Sequence, residues 1–338
     1  MSHEGRVGDC SMSDPPATMR TTAATDLFDK YVLPKVALVV ILAGSLAGTW
    51  VSGRLGGQSA AVTLAKWLYF VALGVLTGGL VWKHCFVRPR DLGMGAGDYC
   101  AEMYARFDQI ATGSVTVLAV TGPVVLAAYA SRLESGPLVV GLGVLLAAWL
   151  GTLVVTTRGS GPVDEQFRRP AGLFALALAL AVVAGTGLAE VSLREFGPIA
   201  AAVRTIHLLA FGAWIGGAVW NIFVAVPTGQ QRPTAAVARA AGEQLERFRW
   251  AVRFIIPLLF LTGLVQAVTV FGVRLETYVA APIGIAVLAK VGIIGLLAVI
   301  FKLCPMWRAC SPIDGVCDLE GVGEDEPPAA PTEGNADD

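Results

Sequence analysis

The chain has 338 residues, of which 55% are hydrophobic and 15% are charged, and its formal net charge is −1. Its mean hydropathy of +0.65 excludes a soluble globular protein, because the chain has too few polar residues to cover the surface of a body of this size. The composition therefore predicts an integral membrane protein in contact with the lipid bilayer, and no basic stretch marks a nucleic-acid-binding surface.

Eight apolar runs are long enough to cross a membrane, since a helix through about 30 Å of hydrocarbon needs roughly 20 apolar residues. In chain order they span about residues 31–51, 61–82, 111–130, 138–156, 171–189, 200–226, 254–273 and 282–301. Backbone polar groups in lipid have to be satisfied within their own segment, and the alternation of a β-barrel is absent, so the runs predict helices. The predicted fold class is all-α, a polytopic membrane bundle of about eight transmembrane helices.

The two ends of the chain have the composition of tails. Residues 1–28 are rich in Ser, Thr, Asp and Gly and contain no apolar core of a signal peptide. Residues 304–338 contain three cysteines and then an acidic stretch without a basic residue. Both segments predict disordered tails around a membrane domain at 29–303.

Lysine and arginine predict the orientation of the bundle. One set of connections collects most of them, among them Lys83, Arg88, Arg168 and Arg169, and the other set has few. Because basic residues accumulate in cytoplasmic loops, this asymmetry predicts a multi-pass protein of the cell membrane with both termini in the cytoplasm.

A near repeat relates the second predicted helix to the sixth. Residues 64–89 read LAKWLYFVALGVLTGGLVWKHCFVRP, and residues 202–227 read AVRTIHLLAFGAWIGGAVWNIFVAVP. Weaker matches extend the pattern, so the chain predicts two parallel four-helix repeats, at about 31–156 and 171–302. The shared glycines, Gly74 and Gly78 in one copy and Gly212 and Gly216 in the other, predict that these two helices pack closely.

The second copy carries the polar residues that favour a function. Helical periodicity places His207, Trp214 and Asn221 on one face of the sixth predicted helix. An ionisable side chain inside a membrane helix is a functional hypothesis by default. Lys290 lies near the middle of the eighth predicted helix with no Asp or Glu predicted at its depth, and Gln266 in the seventh is a candidate polar partner for it.

Two stretches of the second half are similar to one protein family. The first reads HLLAFGAWIGGAVW, and the second, about 75 residues later, reads LAKVGIIGLLAVIFK. The family that they resemble is the copper resistance protein D (CopD) family. The resemblance covers about residues 200–302. It implies a membrane protein for copper handling, by transport or delivery across the cytoplasmic membrane, with copper as its ligand and a copper chaperone or an extracytoplasmic copper-binding protein as partner. The motif positions that it implies are His207, Trp214, Gly216, Gly217 and Lys290.

The soft ligands that copper(I) prefers lie on one side only. All cysteines are predicted to be cytoplasmic or in the tails, so the outer mouth offers His207 alone. A candidate receiving cluster on the inner side consists of His84, Cys85, Cys304, Cys310 and Cys317. Free thiols are also the ordinary state of cysteine in a reducing cytosol.

Two other functions remain open at this level. One is a membrane subunit of an electron-transfer system: a single intramembrane histidine does not provide the two ligands of a low-spin haem, but quinone binding near His207 and Trp214 fits. The other is an assembly partner of a redox enzyme. No Ser/His/Asp set, HExxH motif or phosphate-binding Gly loop is present, so the sequence predicts that the protein is not an enzyme.

Overall fold

The computed structural model describes residues 32–87, 97–133, 135–157, 166, 169–193, 197–231 and 234–303. The α-helices are α1 Val32–Leu55, α2 Ala60–Val81, α3 Gly97–Ala130, α4 Gly136–Thr157, α5 Pro170–Ser192, α6 Pro198–Val219, α7 Val226–Gln231, α8 Ala235–Phe271, α9 Leu275–Ala280 and α10 Pro282–Leu303. In the described part of the chain, seven helices are long and apolar enough to cross a membrane. The predicted all-α membrane bundle is confirmed.

The eighth predicted span corresponds to α10, a helix of 22 residues. Apart from Lys290, its described side chains are apolar over Pro282–Gly295, and the apolar sequence continues to Phe301. The predicted tails at 1–28 and 304–338, and with them Cys304, Cys310 and Cys317, lie outside the described residues.

Two helices extend beyond their apolar runs toward the predicted inner side. Helix α8 begins at Ala235, and the hydroxyl of Thr234 caps it by accepting a hydrogen bond from the backbone N–H of Val237. Helix α3 begins at Gly97, well before its apolar part. Pro123 and Pro257 both lie inside continuous helices, where each removes one backbone hydrogen bond.

Helices α2 and α6 both end in a π-helical turn, at Trp82–Phe86 and at Trp220–Ala225. The two tryptophans are equivalent in the predicted repeat, and so are Phe107 and Phe248. Trp82 packs on Phe248 with ring centroids 5.4 Å apart, and Trp220 packs on Phe107 at 5.3 Å. Each half of the chain therefore places its tryptophan against a phenylalanine of the other half.

The centre of the bundle is the crossing of α2 and α6, where the backbones touch. A Cβ atom added at Gly216 would lie 2.5 Å from the Cα atom of Gly78, and one added at Gly78 would overlap the carbonyl oxygen of Gly212. Only a residue without a side chain fits at such a contact. This confirms the prediction that the repeated glycines bring the two helices together.

The helices around this centre do not all pack equally tightly against their neighbours. Helix α3 packs against α4, which in turn packs on α5, whereas α10 packs on α1 and α9 and scarcely touches α8 along the described residues. At the α3/α4 contact, a Cβ atom at Gly122 would lie 2.7 Å from the Leu146 side chain. At Gly263, the equivalent of Gly122, the nearest neighbour is instead the His207 ring on α6, at 3.5 Å. Helix α10 is therefore not packed against α8 as α4 is against α3, and we call the region between α8 and α10 the α8/α10 cleft.

Candidate functional site

One carboxylate connects the two halves near their predicted outer end. Glu190, close to the end of α5, forms ion pairs with Lys66 at 2.8 Å and with Arg204 at 3.4 Å. The Tyr129 hydroxyl donates a further hydrogen bond to Glu190 at 2.7 Å. Lys66 and Arg204 are equivalent in the predicted repeat, so Glu190 is the shared counter-ion of the matching positions in α2 and α6.

The sequence reasoning missed this cluster. It ended the fifth predicted span at residue 189, one residue before Glu190. The structure corrects this, because the Glu190 side chain is only 13% exposed and lies within α5. The available signal was the pair of cations, Lys66 and Arg204, since cations in apolar helices need a nearby anion.

The hydrogen bonds of His207 determine which of its ring nitrogens is free. Its Nδ1 lies 2.8 Å from the Thr262 hydroxyl oxygen, and that hydroxyl donates its proton to the Leu258 carbonyl at 2.6 Å. A hydroxyl has one proton, so the Thr262 oxygen accepts from Nδ1–H. The Nε2 atom of the half-buried ring therefore keeps its lone pair for another partner.

Arg204 and Gln266 form a second link between α6 and α8. The Arg204 guanidinium donates to the Gln266 side-chain oxygen at 3.1 Å, and the Gln266 amide donates to the Thr262 carbonyl at 3.0 Å. Gln266 was considered as the polar partner of Lys290. It is instead the partner of Arg204, which comes from α6 and leaves Lys290 without that contact.

Lys290 is exposed on α10 and makes no hydrogen bond or ion pair with the described residues. It interacts electrostatically with His207 and with Arg204. His207 is nine residues from the start of α6 and Lys290 eight from the start of α10, so at 1.5 Å per residue both lie about 12–14 Å along their helices. The two predicted residues thus come to a similar depth beside the α8/α10 cleft.

The remaining residues of the predicted motif are part of the packing. Trp214 packs in an apolar cluster with Leu38 of α1. Gly216 lies at the crossing of α2 and α6, and a Cβ atom at Gly217 would overlap the Trp82 ring. Asn221 is buried in the second π-turn, where its amide donates to the Gly217 carbonyl at 2.8 Å. None of these four has a polar atom placed beside His207.

Of the inner candidate ligands, only His84 and Cys85 lie in the described part of the chain, and their environments differ. His84 is 4% exposed, whereas its neighbour Cys85 is exposed. Within the described ranges, no group of three or more His, Cys, Asp or Glu side chains is arranged to hold a metal ion. The predicted inner metal cluster therefore stays a prediction that depends on cysteines outside these ranges.

No family model, no curated protein and no solved structure matches this chain. The resemblance to the CopD family accordingly rests on the residues at 200–302 alone, and copper handling stays a prediction.

Proposed function

We propose that the protein binds the polar head of a membrane-soluble quinol or quinone in the α8/α10 cleft, as a membrane subunit of an electron-transfer system. The observation that carries the proposal is the pair of unused polar groups beside the cleft. His207 Nε2 has a free lone pair, and Lys290 has an ammonium without a hydrogen-bond partner among the described residues. Exposing a charged amine at this depth costs several kcal/mol unless a polar group meets it.

The cleft favours a ligand that arrives through the lipid. It separates two helices that both carry exposed apolar side chains, Leu264 and Val265 on α8 and Val291 and Ile293 on α10. Such surfaces suit the hydrocarbon interior of a bilayer. A molecule with an apolar tail and a small polar head can therefore reach His207 laterally and does not need an aqueous channel.

The two polar groups are complementary to the two ends of a quinol head. A phenolic O–H donates to His207 Nε2, while the Lys290 ammonium donates to an oxygen. The surroundings are also electropositive, because Lys66, Arg204 and Lys290 outnumber the carboxylate of Glu190. An excess of fixed positive charge favours electron-rich oxygen atoms over a metal cation.

Quinol binding by the detergent-purified protein tests this proposal, with a short-chain benzoquinol and its quinone as probes. We expect His207→Ala and Lys290→Met each to weaken binding by about 10-fold or more, the loss typical of one hydrogen bond to a charged or buried group. Tyr69→Phe is the matched control for His207, since Tyr69 is its repeat equivalent and bonds Thr186 at 2.9 Å instead. Lys35→Met, an exposed lysine of α1, is the control for Lys290. Equal binding by all five proteins would refute the proposal.

Copper handling is the second candidate, and one observation favours it. Histidines that bind metals usually donate their second ring N–H to a fixed acceptor, as His207 does to Thr262. The neighbours of His207 are otherwise a hydroxyl, an amide and two cations, Arg204 and Lys290, and not the sulfur ligands that copper(I) prefers.

Copper(I) titration separates the two candidates. We expect no stoichiometric copper binding that depends on His207. The variants are His207→Ala and a combined Cys304, Cys310 and Cys317→Ser protein. Stoichiometric binding that is lost in His207→Ala would establish a copper path and replace the quinol proposal, whereas loss only in the cysteine variant would place a metal site in the C-terminal segment.

A further inference from the structure

A pocket lies at the opposite end of the bundle from His207, where α3, α4 and α5 surround the first π-turn. Its volume is about 40 Å³. At roughly 10–15 Å³ for each water-sized position, it has room for about three oxygen atoms. The polar residues that line it are Lys83, His84, Asp108, Thr156, Thr157, Gln166 and Arg169.

The π-turn buries two consecutive polar side chains at this pocket. Lys83 and His84 are 8% and 4% exposed, while Cys85 is exposed. Gly172 in the first turn of α5 makes room for the histidine, since a Cβ atom there would lie 2.5 Å from the Cε1 atom of the ring. The sequence thus keeps a glycine where any larger residue would displace His84.

His84 has an unused donor at the pocket. Its Nδ1 is enclosed and has no hydrogen-bond partner in the described part of the chain. In either tautomer the ring N–H has no acceptor among the described residues, and the Nε2 edge of the ring faces Gly172, a residue of the pocket wall. A buried N–H group of this kind requires an acceptor.

Positive charge dominates the pocket wall. Arg169 is exposed beside it and directly precedes α5, a 23-residue helix that has no side-chain cap. Pro170 has no N–H, and the Gly172 and Leu173 N–H groups donate to the Arg169 carbonyl at 2.9 and 3.1 Å. This helix end therefore attracts an anion mainly through its dipole. Lys83 adds a second cation, and Asp108, the one carboxylate among the described lining residues, is paired with Lys83 at 3.0 Å.

We infer that this pocket binds an oxyanion of the phosphate class, supplied by a lipid headgroup or by free phosphate. The His84 N–H and the Arg169 guanidinium provide the donors, the dipole of α5 adds to the attraction, and Asp108 is paired with Lys83. The pocket has room for about three oxygen atoms, enough for the unesterified oxygens of a phosphodiester headgroup or most of a phosphate ion. The inference is independent of the quinol proposal, since the two sites lie at opposite ends of the bundle.

Binding of three probes to the detergent-purified protein tests the inference: phosphatidylglycerol, phosphatidylcholine and inorganic phosphate. We expect phosphatidylglycerol or inorganic phosphate to bind and phosphatidylcholine to bind much more weakly. Arg169→Gln should weaken binding by at least tenfold. The matched control is Arg239→Gln, which removes an exposed arginine from the inner part of α8 and should leave binding unchanged.

Asp108→Asn tests whether the pocket residues bind an anion or only hold the helices together. Removing this carboxylate frees Lys83 and removes the one negative charge of the wall, so oxyanion binding should tighten severalfold. Competition by inorganic phosphate identifies a free-anion site, and binding of phosphatidylglycerol without such competition identifies a lipid site. Absence of binding by both anions, or an equal loss in Arg169→Gln and Arg239→Gln, would overturn the inference. His207→Ala should not change this binding, which separates it from the quinol site.

Discussion

Gly78→Ala is expected to lower the free energy of unfolding by about 3 kcal/mol, the upper end of the usual range for an overpacked site. The added methyl group would overlap the carbonyl oxygen of Gly212, a backbone atom that no side-chain rotation can move. Helices α2 and α6 would have to separate, and the Trp82 contact with Phe248 across the crossing would loosen with them. Reversible unfolding in mixed micelles, followed by circular dichroism, measures the change.

The control for this result is Gly113→Ala on α3. A Cβ atom at Gly113 would meet nothing within 4 Å, and alanine is a better helix former than glycine by about 1 kcal/mol. The control is therefore expected to be neutral or slightly stabilising. A loss in Gly113→Ala as large as that in Gly78→Ala would mean that the α2/α6 contact is not the reason for the destabilisation.

The helices of this bundle and their central contact could be predicted from the sequence, because both depend on regularly spaced residues within single segments. Long apolar runs predicted the helices, and the repeated spacing of Gly74, Gly78, Gly212 and Gly216 predicted which two helices meet. A backbone contact of this kind depends on residue size alone, and size is visible in the sequence. The early start of α8 at Ala235 also has a local cause, since helix-forming residues precede its apolar run.

The polar contacts were not readable, because a hydrogen bond depends on which side chains the fold brings together. Gln266 was a candidate partner for Lys290, yet the closer approach of α6 to α8 gives it to Arg204. The α8/α10 cleft could not be predicted from the sequence either. Leu145 and Lys290 occupy matching positions of the two predicted repeats, but only the packing shows that α4 closes against α3 while α10 stays apart from α8.

The two halves therefore divide their roles along the same framework. Tyr69 and His207 are equivalent in the predicted repeat, but Tyr69 bonds Thr186 on α5, in the other repeat, whereas His207 bonds Thr262 within its own repeat, beside the cleft. In the first repeat, α4 packs against α3. In the second repeat, α10 stays apart from α8 and leaves Lys290 exposed beside the cleft. A duplicated fold can take on a ligand in this way without losing its central packing.

Glu190→Gln is expected to destabilise the protein by about 3–5 kcal/mol, the usual result of removing one partner from a buried ion pair. The amide keeps the size of the side chain but leaves Lys66 and Arg204, which flank the same position at 2.8 and 3.4 Å, without their counter-ion. Two cations that repel each other at the outer end would push α2 and α6 apart. The free energy of unfolding in mixed micelles measures the loss.

Two further variants separate charge from packing at this position. Glu246→Gln removes a carboxylate that is 66% exposed and paired with Arg249, so its expected cost is below about 1 kcal/mol. Adding Lys66→Met to Glu190→Gln removes one of the two opposed cations, and we expect it to restore part of the lost stability. Failure of Lys66→Met to restore any would show that Glu190 does not stabilise the bundle as the shared counter-ion of α2 and α6.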